Sequence, residues 1–256
     1  DYIIWLQKPP LMFLINGRAA VVVFFVLSGF VLALPYIREH GLSYRDFILR
    51  RLCRIYIPFA VTVLLCALAF WAVDGSLVTQ ADGIAWTWKN QKLSAGIIGG
   101  HLLMTGIKEH VFLNSPMWSL VHEMRVSLLF PWLALFIKNI QKNLFLAIGF
   151  LVSVVILTKL SLASFEEFPF TVERFYLTAL VTFYFIPAFA LGILLAQHQN
   201  SILNFFKNLN RRKRLCLWTA SLGFFSIVGQ LGASFVIALD TFVLLALILS
   251  SEKAGR

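Results

Sequence analysis

Three arginines fall close together in FILRRLCRIYIP (47–58): Arg50, Arg51 and Arg54. On a helix Arg50 and Arg54 are i,i+4 neighbours and Arg51 and Arg54 are i,i+3 neighbours, so the three can share one face at a membrane surface. Guanidinium forks in that arrangement suit phosphate oxygens. The same residues would also serve as plain anchoring to anionic lipid. Further on, WSLVHEMRV (118–126) sets His122, Glu123 and Arg125 at the head of an apolar run that ends at Ile137. Carrying such groups into hydrocarbon costs several kcal/mol unless each finds a partner or water. Helical spacing separates them. Ser119 and Glu123 share a face with Val126 and Phe130, whereas His122 and Arg125 share another with Trp118 and Leu129. Glu123 and Arg125 therefore do not satisfy each other within the helix, and each must look to water or another element. Glu123 is a candidate general acid/base, or the carboxylate that orients one. A structural polar tie to a neighbouring helix is the competing account.

Other polar residues carry weaker signals. Asp240 lies in the last apolar run with no cation near it in sequence, and either closes an interhelical hydrogen bond or lines a polar cavity. His101, in IIGGHLLMTG, is a lone histidine that reads as a satisfied buried group, and Arg18 snorkels at the outer end of the first run. Ser28 and Gly29 sit mid-span, where small residues let helices approach closely. Pro131 and Pro187 lie inside spans and free carbonyls that need partners. Cys53, Cys66 and Cys216 have no metal or redox spacing and read as structural thiols. No GxSxG, phosphate-binding loop, zinc pattern or dinucleotide fingerprint is present, and no metal site is expected.

The elements that must position these residues are helices in a bilayer. The chain is 59% hydrophobic and 13% charged over 256 residues, well away from the composition of water-soluble domains. Its apolar stretches are continuous runs close to the ~20 residues that a span needs, rather than the alternating strands of a barrel. The expectation is an all-α, polytopic membrane protein forming a single domain over 1–256. About seven transmembrane helices are read: Ala19–Tyr36, Ile55–Val73, Met117–Ile137, Leu144–Leu160, Tyr176–Ala196, Leu215–Leu231 and Ser234–Ser250. The run Ala95–Ile107 is too short to cross and is read as re-entrant or interfacial. The +10 formal charge does not point to nucleic acid, because the cations sit in connections between spans. Seven crossings put Arg38 to Arg54, Lys138 with Lys142, Lys207 to Arg214, and Lys253 with Arg256 on one side, the cytoplasmic one. The loops Asp74–Pro116 and Glu166–Glu173 fall on the other. Residue 1 then starts outside, and the topology asks for one more span upstream.

Three stretches together resemble the acyltransferase 3 family of membrane O-acyltransferases: NGRAAVVVFFVLSGFVLA (16–33), RRLCRIYIP (50–58) and WSLVHEMRVSLLFP (118–131). The resemblance covers most of the chain. It implies a bundle of about ten helices that takes an acyl group, expected to be acetyl, from cytoplasmic acyl-CoA to a hydroxyl of an extracytoplasmic glycan or other envelope acceptor. The protein would then be multi-pass in a bacterial inner membrane. Arg50, Arg51 and Arg54 match the family's cytoplasmic arginines, expected to meet the phosphates of CoA. Trp118, Ser119 and Glu123 match its Trp-Ser-Leu…Glu signature, and Ser28 and Gly29 belong to the motif expected to shape the site. The family's catalytic histidine and a partner arginine lie on a helix upstream of residue 1, so this chain alone is expected to be inactive. Where the family often has an aromatic pair after the glutamate, this chain has Val126 and Ser127. A rival expectation from another class is a transporter with Glu123 and Asp240 as coupling carboxylates. A third is a membrane protein that recognises or presents glycans without catalysis.

Overall fold

The computed structural model describes residues 17–38, 43–72, 92–105, 113, 118–140, 152, 155–156, 172–231 and 234–252. Its helices are Gly17–Arg38 (α1), Tyr44–Arg51 (α2), Ile57–Ala72 (α3), Ala95–Leu102 (α4), Trp118–Ile140 (α5), Val172–Gln197 (α6), Gln199–Lys207 (α7), Arg211–Leu231 (α8) and Ser234–Glu252 (α9). A π-helical turn, Leu52–Tyr56, joins α2 to α3. No strand occurs among the described residues. Tyr44–Ala72 and Thr178–Gln197 are each long and apolar enough to cross a bilayer, and Ala19–Pro35 and Val236–Ser251 are shorter apolar helical stretches. The expected span Leu144–Leu160 lies largely outside the described residues.

The chain divides into two compact units that interleave along the sequence. One holds residues 43–131 and 157–184. Its core is built on Ile55, Phe59, Val63 and Ala67, which meet Met104, Leu113, Val121 and Met124. These four positions recur at four-residue intervals and form one stripe. Ile57, Val61, Leu64, Leu65, Leu68 and Trp71 are exposed on the rest of the same helix. A helix apolar all round, with one face packed and the other open, suits hydrocarbon rather than water.

The sequence places Arg50, Arg51 and Arg54 on a surface helix before a span that begins near Ile55. The structure instead runs one helical path from Tyr44 to Ala72, through the π-helical turn. Pro58 supplies the reason. It has no N–H to give the Arg54 carbonyl, and its ring would press on that carbonyl in a regular α-helix. The turn widens, and the Ile57 N–H reaches back to the Leu52 carbonyl.

Helix α4 is as short as the sequence reading expects. Ser94 caps its start, with its side chain accepting from the Ile97 N–H at 3.3 Å. It ends in a turn in which Met104 takes φ of 51°, a left-handed conformation uncommon for a side chain of that size.

The other unit holds residues 1–42, 132–156 and 185–256. Gly29 of α1 lies against the Phe189 backbone of α6, and Gly192 of α6 lies against the backbone of Val26, Gly29 and Phe30. The two helices cross with their main chains in contact, which only paired glycines permit. Phe25 fills the adjoining space against Phe185 and Phe189, with ring centroids 4.5 and 5.3 Å away. Helix α9 packs against α1, α7 and α8.

Candidate functional site

The geometry that brings two of the three sequence motifs together lies in the unit of residues 43–131 and 157–184. Ser43 caps α2 by accepting from the Asp46 N–H at 3.1 Å. One face of α2 then meets α5. The Tyr44 hydroxyl donates to the Leu128 carbonyl at 3.2 Å, and Phe47 stacks on Phe130 with centroids 5.7 Å apart. One turn on, the Arg51 guanidinium donates to Glu123 Oε1 at 3.3 Å, with both side chains more than nine-tenths buried. Its cationic carbon also lies 6.0 Å from the centre of the Phe47 ring, a distance at the edge of cation–π attraction.

The shared arginine face is corrected by this arrangement. Arg51 turns inward, on the side that carries Phe47 and Ile55, whereas Arg50 and Arg54 are exposed. Arg51 is one turn from Phe47 and must follow that face into the packed side. There the Glu123 carboxylate offsets the cost of burying its charge. Arg50 and Arg54, four residues apart, keep their donors available outside.

The second face of α5 makes a separate network. Arg125 donates to the Thr105 carbonyl at 2.6 Å, to the Met104 carbonyl at 3.2 Å and to the Thr182 hydroxyl at 3.3 Å. It thereby ties the left-handed turn after α4 to α5 and α6, satisfying carbonyls that would be costly if bare in a membrane. His122 Nδ1 lies 2.8 Å from the same Thr182 hydroxyl, which itself donates to the Thr178 carbonyl at 3.0 Å. Trp118 packs edge-on against the His122 ring at 5.7 Å. The helical-face reading of WSLVHEMRV therefore holds: Glu123 and Arg125 find partners on different elements. Trp118 and Ser119 are half-buried at the start of the helix.

Sequence reasoning missed Thr105, Thr178 and Thr182. A signal existed for the last two, since hydroxyls four residues apart in an apolar run lie on one helical face. Ser28 is buried and Gly29 serves the α1–α6 crossing in the other unit. Asp240 is buried there as well, within hydrogen-bonding reach of Ser221 on α8. Among the described residues no three His, Cys, Asp or Glu side chains converge in a way that could hold a metal ion.

A helical architecture among the described residues, with lipid-suited helix faces and motif residues joined by a buried ion pair, defines a membrane protein with an internally braced cationic segment. The family profile described as "Acyltransferase domain" matches residues 1–254, and the chain belongs to that acyltransferase 3 family. No curated protein and no solved structure matches it. The family and the apolar helices together make it a membrane acyltransferase.

Proposed function

We propose that the chain is the bilayer-embedded body of an enzyme that moves an acyl group, acetyl in the simplest case, from cytoplasmic acyl-CoA to a hydroxyl of an extracytoplasmic envelope glycan. It would be a multi-pass protein of about seven spans in this chain, in a bacterial inner membrane. The observation that carries this reading is the Arg51–Glu123 pair. It joins the arginine-bearing segment to the Trp-Ser-Leu…Glu helix, two of the three motifs on which the family resemblance rests.

In this reading the exposed Arg50 and Arg54 hold the phosphates of CoA by charge-assisted hydrogen bonds. Arg51 and Glu123 act as positioning residues that fix the helix carrying them. The acceptor oxygen attacks the thioester carbonyl carbon, a C–O bond forms and the C–S bond breaks. The hydroxyl proton passes by way of a general base to the departing sulfur, and CoA leaves as the thiol. Transporter chemistry fits less well, because a coupling carboxylate must load and release its ion, and Glu123 is held in an ion pair.

Equilibrium binding of radiolabelled acetyl-CoA to membranes bearing the chain tests the donor site. Arg54→Ala should weaken binding roughly tenfold or more, the worth of about one charge-assisted contact. Unchanged affinity would remove Arg54 from the site. A transporter would instead move solute or protons with no acyl-CoA requirement.

A further inference from the structure

Five cations, Lys207, Arg211, Arg212, Lys213 and Arg214, stand within eight positions, and the chain has no acidic residue between Glu173 and Asp240. The structure shows how they are displayed. Helix α7 buries Leu203 and Phe206 and packs on α9, while Asn200, Ser201 and Asn204 face out. It is amphipathic and lies on the body of its unit. Phe205, at the edge of the outer face, is 64% exposed and meets the buried Phe206 edge-on, with ring centroids 5.4 Å apart. The next turn is fixed by Arg214, whose guanidinium donates to the Lys207 carbonyl at 3.3 Å. That leaves Arg211, Arg212 and Lys213 exposed. Helix α8 then becomes apolar at once, with Leu215 64% exposed and Leu222 and Phe224 also open.

We infer that α7 and the start of α8 form a binding surface for anionic phospholipid headgroups. The cations stand at the level where a helix passes from water into hydrocarbon, which is where headgroup phosphates lie. Phe205 and Leu215 supply apolar side chains on either side of them, suited to the acyl boundary below. An acidic protein partner would match the charge but leave those two side chains unexplained. This surface is separate from the Arg50/Arg54 segment and does not depend on the acyl-CoA reading.

The test places the full chain in phosphatidylcholine vesicles and measures, by electron paramagnetic resonance, how strongly spin-labelled phosphatidylglycerol and phosphatidylcholine associate with it. The parent should prefer phosphatidylglycerol. Replacing Arg211, Arg212 and Lys213 together by Gln should cut that preference roughly twofold or more, since each surface cation contributes separately. Replacing Arg211 and Arg212 by Lys should keep it, which separates charge from fold. Raising salt from 0.1 to 1 M shrinks the screening length from about 10 to about 3 Å and should erase the preference. Equal preference in the parent and the Gln variant would overturn the proposal, as would a preference that survives 1 M salt. Displacement of the labelled phosphatidylglycerol by soluble adenosine 3′,5′-bisphosphate would also overturn it, showing a nucleotide site instead.

Discussion

At the residue scale, the Arg51–Glu123 pair is the feature on which the motifs turn, and its energetics are asymmetric. Removing one partner leaves the other charge buried without compensation, whereas replacing both with apolar groups removes the desolvation cost too. Arg51→Ala alone should therefore cost about 3–5 kcal/mol in denaturant unfolding of the detergent-purified chain. Arg51→Met combined with Glu123→Leu should recover most of that loss; a double variant as unstable as the single would show that the pair itself carries the stability. The Thr182 hydroxyl gives a second case. It has one proton, already donated to the Thr178 carbonyl, and two lone pairs that accept from Arg125 and His122. That assignment puts the His122 proton on Nδ1, and Thr182→Val should remove the acceptor that both groups share, at about 1–3 kcal/mol in all. Thr182→Ser should be close to neutral. Nitrogen-15 NMR of the His122 ring reads the tautomer directly, and an Nε2–H signal would refute it. The sequence reading could assign these groups to faces, because spacing within one helix is local. It could not name their partners, which lie 72 and 60 residues away for Glu123 and His122.

Elements are held here by two devices of different legibility. The glycine crossing of α1 and α6 was half visible: Ser28-Gly29 announced close packing, but nothing in the chain near Gly192 marked it as the counterpart. A Cβ at Gly29 would overlap the Phe189 carbonyl, and one at Gly192 the Val26 carbonyl and the Phe30 nitrogen. Either Gly→Ala change should destabilise by about 1–3 kcal/mol, and the double variant by less than the sum, because the first already separates the helices. Thermal unfolding of the three variants checks this, and strict additivity would disprove the shared crossing. The π-helical turn was not legible, although its cause was. Phe47, Arg51, Ile55, Phe59, Val63 and Ala67 are all buried at strict intervals of four. A 3.6-residue helix would carry such a stripe about 40° further round at each step. A wider turn at Leu52–Tyr56 takes part of that drift back and keeps Phe47 and Arg51 on the packed side. Pro58→Ala permits the turn to tighten. In that background the coupling energy between Arg51 and Glu123, measured by a double-mutant cycle, should fall; an unchanged value would mean that the stripe does not need the turn.

For the whole molecule, composition announced a helical membrane protein plainly, since apolar residues outside the core need no periodic partner to be recognised. Span ends were less legible. Helices α5 and α8 run past the expected ends, to Lys138 and beyond and back to Arg211, because Lys and Arg can stay helical while their heads reach water. Orientation rests on charge asymmetry alone, and it makes a sharp demand. If the arginine segment and the Lys207–Arg214 turn share one side, the exposed Cys53 and Cys216 must face the same compartment. Cys66 is half-buried on α3 and is replaced by Ala so that it does not contribute. In single-cysteine versions, a membrane-impermeant maleimide should leave both Cys53 and Cys216 unlabelled in intact cells and label both in inverted membrane vesicles. Labelling of the two from opposite sides would require an odd number of crossings between them. The even count in the seven-span reading, three spans together with α3 itself, would then be wrong, and the short α4 region would be the first place to look for the missing crossing. That outcome would also set the Arg50/Arg54 segment and the lipid-binding turn on different faces of the bilayer.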